Sequence, residues 1–102
     1  MIKHIILWTL REELSEAQKV SIKQGIKAGL EGLKGEIPGL LDIQVHTEGR
    51  LPSSNCDVML DSTFTNEAAL KAYAIHPAHM AVADGKVRPY ICQRTCLDFE
   101  ME

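Results

Sequence analysis

The sequence predicts an α+β fold of ferredoxin-like β-α-β-β-α-β topology, with two helices on one face of a four-stranded antiparallel sheet. Three observations predict it. Four separated segments show the period-two alternation of strands, two segments between them show a helical period, and turn chemistry marks the junctions. The size permits it: 102 residues, 45% of them apolar and 25% charged, describe one folded domain over residues 1–102. A barrel of eight β/α units, which needs about 250 residues, is excluded.

Ile2 to Leu10 begin the series. His4, Ile6, Trp8 and Leu10 share one strand face, and Ile5, Leu7 and Thr9 share the other. Both faces are largely apolar, so this strand is expected at the centre of the sheet. Ser15-Glu16-Ala17-Gln18 is a capping-box pattern that starts a helix. Ile22, Ile26, Leu30 and Leu33 then form its apolar stripe. Gly25, Gly29 and Gly32 lie beside that stripe, each at a cost of about 1 kcal/mol relative to Ala. Close approach of the helix to the sheet is the expected reason for them, with space left for a ligand as the alternative.

Ile37-Pro38-Gly39 is a turn. In the strand that follows, Leu41, Ile43 and Val45 are expected inward and Asp42, Gln44 and His46 outward. After the polar loop of residues 49–55, a third strand is expected over residues 56–64. There Cys56, Val58, Leu60 and Phe64 oppose Asp57, Met59, Asp61 and Thr63. Thr65 or Asn66 caps the second helix, with Ala69, Leu70, Tyr73 and Ala74 as its stripe. His76-Pro77 interrupts that helix, because a residue before proline avoids the helical region, and a short helix follows over residues 78–85. The last strand is expected to run from about Val87 or Tyr90 to Phe99, with Ile91, Leu97 and Phe99 on one face and Cys92, Arg94 and Cys96 on the other.

Helices cover only one face of such a sheet, yet apolar residues occupy both. The uncovered face is therefore expected to meet a second copy, giving a homodimer. The net charge of −3 and the lack of a basic stripe argue against a nucleic-acid partner. No apolar run approaches the ~20 residues of a membrane helix. Three cysteines, Cys56, Cys92 and Cys96, form neither an even set nor a CxxC pair, which points to a reducing cytoplasm and to no zinc knuckle.

Four histidines carry the chemistry the sequence offers. His4 lies within an apolar strand, where a core histidine bonded to a carbonyl is the plain alternative to a functional one. His76 and His79 flank Pro77 in Tyr73-Ala74-Ile75-His76-Pro77-Ala78-His79. Read alone, His76 is a helix-terminal residue complementing the dipole. Metal binding by His76 and His79 is disfavoured, because the proline breaks the common helical face.

The same segment, together with Ile2-Lys3-His4-Ile5-Ile6-Leu7, Leu14-Ser15-Glu16-Ala17-Gln18-Lys19, Ile37-Pro38-Gly39-Leu40 and Asp61-Ser62-Thr63-Phe64, resembles the stress-responsive dimeric α/β-barrel (Dabb) family over nearly the whole chain. The resemblance implies a ferredoxin-like subunit that pairs through its sheet into an α/β barrel. It also implies a small pocket between helices and sheet that uses no cofactor and no metal. A plant polyketide cyclase of that family has a proposed catalytic histidine pair that falls on His4 and His79, and a tyrosine that falls on Tyr73. Its substrate-binding tyrosine falls on Ile26 and a third-strand histidine falls on Asp57, so the lining differs here. The resemblance thus implies His4, His79 and Tyr73 as catalytic residues, with Ile26, Trp8 and His76 lining the pocket. Imidazole, with a pKa of about 6.5, suits proton abstraction beside a carbonyl. Two function classes follow: cofactor-free cyclase- or isomerase-like acid–base chemistry on a small apolar or carbonyl-containing ligand, or a stress-related module that binds a ligand without turnover.

Overall fold

The computed structural model of the chain describes residues 1–101. Its strands are β1 (Ile2–Leu10), β2 (Leu40–His46), β3 (Val58–Phe64) and β4 (Ile91–Glu100), in the sheet order β2-β3-β1-β4. Every neighbouring pair is antiparallel, and β1 is central, paired with β3 on one side and β4 on the other. The helices are α1 (Glu16–Glu31), α2 (Glu67–Ile75) and α3 (Pro77–Val82). A wide π turn over Ala83–Val87 and a single 3₁₀ turn over Arg88–Tyr90 lead into β4.

The helix boundaries follow from local chemistry. Ser15 closes a full capping box: its hydroxyl accepts from the Gln18 amide at 3.1 Å, and the Gln18 side chain accepts from the Ser15 amide at 2.8 Å. Asn66, rather than Thr65, caps α2 by accepting from the Ala69 amide at 2.9 Å. His76 is extended, as a residue before proline must be, so α2 stops and α3 starts afresh at Pro77. Between α1 and β2, Gly39 has a φ of 84°, and a Cβ there would stand 2.5 Å from the Cβ of Ala69. Only glycine meets both demands.

The core lies between the helices and the inner sheet face. Ile6, Trp8 and Leu10 of β1 join Ile26 and Leu30 of α1, Val58, Leu60 and Phe64 of β3, and Tyr73 of α2. Gly29 explains part of the glycine content of α1. A Cβ there would come within 2.9 Å of Val82 Cγ1, so the close approach is to α3 and not to the sheet. Gly32 lies just past the helix as its C-cap.

Two expectations about strand faces fail at β-bulges, where one extra residue reverses the alternation. The ladder between β2 and β3 shifts between Leu40 and Asp42, so Leu40 is buried while Leu41 is 43% exposed. The ladder between β1 and β4 shifts between Thr9 and Leu10, which pairs Ile91 with Leu10 and separates it from the face of Leu97 and Phe99. The free edge of β2 is closed by α1. Glu31 Oε2 accepts from the Val45 amide at 2.9 Å, and Lys27 Nζ donates to the Val45 carbonyl at 2.8 Å, as a neighbouring strand would.

Candidate functional site

Between the inner sheet face and the α2–α3 corner lies a cavity of about 120 Å³. Its floor is apolar and buried, made by Ile6 and Trp8 of β1, Leu60 of β3 and Leu30 of α1. Its polar wall is His4, Tyr73 and His79, and the exposed Arg88 and Arg94 stand at the mouth. The fold thus brings together the two histidines and the tyrosine singled out in the sequence. Trp8 lines the cavity too.

The other two expected lining residues do not. Ile26 is fully buried in the core; α1 reaches the cavity one turn later, through Leu30. His76 turns its ring back along the chain, where Nδ1 accepts from the Ala78 amide at 3.1 Å and caps α3. Pro77 removes its own N–H, so the cap serves the next donor along. Asp57 also lies apart from the cavity and accepts from the Leu10 amide at 2.8 Å.

Each imidazole in the wall has its tautomer set by a partner that can only accept. His4, 8% exposed, has Nδ1 hydrogen-bonded to Asp98 Oδ1, directly across the β1–β4 ladder. An ionised carboxylate has no proton to give, so Nδ1–H donates and Nε2 is left free. His79 Nδ1 lies 3.3 Å from the Ala74 carbonyl oxygen, an obligate acceptor, which again leaves Nε2 unprotonated on the neutral ring. Burial is the main cause that holds His79 below the ordinary imidazole range. The Ala74 hydrogen bond acts the other way, and the charges of Arg88, His4 and Arg94 add to the lowering. His79 therefore stays neutral, and basic, to lower pH than free imidazole.

Tyr73 links the two. Its ring centroid is 6.2 Å from that of His4 and 4.1 Å from that of His79, and it packs against Phe64 at 4.9 Å. Its hydroxyl is buried with no hydrogen-bond partner among the described residues, and burial pushes its pKa well above the usual phenol range. A buried donor without an acceptor costs about 1–3 kcal/mol, so it is a feature that needs a reason.

Sequence reasoning missed Asp98, Arg94 and Arg88. Arg88 lies in the turn before β4. The alternation of β4 displays the other two, with Arg94, Cys96 and Asp98 on one face, but the apolar Leu97 and Phe99 suggest that the opposite face is the buried one. The register reverses this, setting Arg94 opposite Trp8 and Asp98 opposite His4. Cys96 adds a third donor near that pair: its ligand atom and those of His4 and Asp98 all lie within 4.8 Å of one another. These are donor types that zinc accepts. Burial, and then the neighbouring Asp98 charge, push the Cys96 thiol up.

Comparison with known proteins bears on both fold and family. No curated protein matches the chain. Among solved structures, a dimeric protein of unknown function with a ferredoxin-like fold from Bacteroides fragilis is 29% identical, with a TM-score of 0.91 over 98% of this chain and 95% of that one. A dimeric ferredoxin-like protein of unknown function from Jannaschia is 24% identical, with a TM-score of 0.79 and 98% coverage of both chains. A hydroxynitrile lyase from Passiflora edulis shares the fold at 16% identity, with a TM-score of 0.73 over 99% of this chain and 93% of that one. No helix among the described residues is long and apolar enough to cross a membrane. The model of the stress-responsive A/B barrel domain matches residues 2–101, and the chain belongs to that family, Dabb.

Proposed function

We propose that this protein is a homodimeric small-molecule enzyme that performs acid–base chemistry on a carbonyl compound, of cyclase or isomerase type, in the cavity walled by His4, Tyr73 and His79. The single observation that carries this reading is the pair of imidazoles on one cavity, each with Nδ1 committed to an acceptor and Nε2 left over. His79, kept neutral by burial, is the base that removes a proton beside the carbonyl. His4, its ring fixed by the Asp98 carboxylate, orients the carbonyl compound on the cavity wall. Tyr73 supplies a donor to the developing enolate, through a small shift of its ring that opens the hydroxyl to the ligand. The fold supports enzyme chemistry of this size, since a hydroxynitrile lyase shares it.

The test is exchange of the methyl protons of acetophenone in deuterated buffer, followed by NMR. The protein should accelerate exchange over free imidazole, with an acid limb lying below that of free imidazole. His79→Ala should lower the rate by about a hundredfold or more. A wild-type rate equal to that of imidazole, or an unaffected His79→Ala variant, defeats the reading. An unchanged affinity for acetophenone in a variant that has lost exchange separates catalysis from binding alone.

Pairing rests on the outer sheet face. There Leu97 and Phe99 are 61% and 44% exposed beside the half-buried Ile5 and Leu7 of β1, and the similar proteins from Bacteroides fragilis and Jannaschia are dimers. Sedimentation should give about twice the 11.3 kDa chain mass. A clean monomer at micromolar concentration removes the pairing.

A further inference from the structure

We infer that the cavity selects a compact apolar carboxylate, and that Arg94 is the residue that recognises its anionic end. The inference rests on reading the cavity as a ligand site and names the class of ligand it takes.

The lining is asymmetric in charge. Its ionisable members are His4, Tyr73, His79, Arg88 and Arg94, with no carboxylate among them. The two arginines differ. Arg88 is engaged with Asp84 one helical turn away, whereas Arg94 has no salt-bridge partner among the described residues. Arg94 arises from β4 directly opposite Trp8, on the side of the sheet that carries the cavity floor. A guanidinium placed over an apolar floor and outside any salt bridge among the described residues, with the nearby Asp98 engaged by His4, provides a two-pronged seat for a carboxylate. Arg88 and Arg94 line the same cavity as His4 and His79, so these groups share one space.

Size narrows the class. A cavity of about 120 Å³ is slightly smaller than the roughly 150 Å³ that accommodates benzene. The buried floor of Ile6, Trp8, Leu30 and Leu60 therefore takes one ring or a short branched chain, and the charged group is left at the mouth beside Arg94. The best-held ligand of the proposed reaction is accordingly an acid, whereas a neutral aryl ketone such as acetophenone uses the apolar floor alone.

Trp8 is the only tryptophan of the chain and lies on the cavity floor, so its fluorescence reports occupancy. Benzoate and benzamide have the same shape and differ in charge. At neutral pH and low salt, benzoate should bind about tenfold more tightly than benzamide, and the preference should shrink as salt is added. Arg94→Gln should abolish the preference while leaving benzamide affinity unchanged, and Arg94→Lys should restore part of it. Arg88→Gln should reduce it less, because Arg88 is already engaged. Equal affinities in the wild type, or an equal loss of both probes in Arg94→Gln, overturns the inference and leaves the ligand-site reading standing. If neither probe, nor acetophenone, alters Trp8 emission, both fail together.

Discussion

Two regions supply the imidazoles of the cavity, the β1–β4 ladder and the α2–α3 corner, and they hold them by different means. On the ladder, His4 sits at a fixed register position and meets a carboxylate contributed by the facing strand, ninety-four residues along the chain. At the corner, His79 sits on a six-residue helix and is anchored by the Ala74 carbonyl five residues earlier. A carboxylate partner compensates charge on the ring. A carbonyl partner fixes only its tautomer, and burial then favours the neutral form. One residue type is thereby held in two ways, by a carboxylate across the sheet and by a backbone carbonyl within the corner.

The contrast can be attacked at the ring between the two regions. Tyr73 is 1% exposed and packs on Phe64 and His79, so Tyr73→Ala should destabilise the fold by about 3–5 kcal/mol in denaturant unfolding. Tyr73→Phe keeps that packing and deletes an unpartnered buried hydroxyl. It should hold or raise stability, by up to about 1 kcal/mol, while slowing acetophenone exchange. A destabilisation by Phe comparable to that by Ala shows that the hydroxyl has a structural partner and removes it from the site.

A smaller effect sharpens the corner itself. His76 and His79 stand three residues apart, yet only His79 lines the cavity, while His76 caps α3. His76→Ala should therefore cost about 1 kcal/mol of stability and leave the exchange rate per folded molecule unchanged. A His76→Ala variant that loses exchange in proportion to His79→Ala would make the corner one functional unit and cancel the division drawn between its two histidines.

Legibility in the sequence followed the range of the interactions. The capping box at Ser15, the break at His76-Pro77 and the turn at Gly39 were readable because each is decided within a few residues by backbone chemistry. The grouping of His4, Tyr73 and His79 was legible through resemblance to a family, not through spacing. Leu41 and Ile91 were misplaced because a bulge is a property of a pair of strands, and alternation in one strand carries no trace of it. Ile26 was placed in the pocket by correspondence, and the depth at which α1 packs put Leu30 there instead.

The sequence by itself determined the element order, the helix starts and stops, and the presence of an apolar inner face, because these depend on local propensity and on side-chain period. Only the tertiary structure decided that Asp98 meets His4, that Arg94 faces Trp8 across the ladder, and that the Tyr73 hydroxyl is buried without an acceptor among the described residues. Those pairings depend on strand register and on the distance between packed layers. Both are fixed by the sum of many weak contacts across the fold, and no short stretch of chain encodes them.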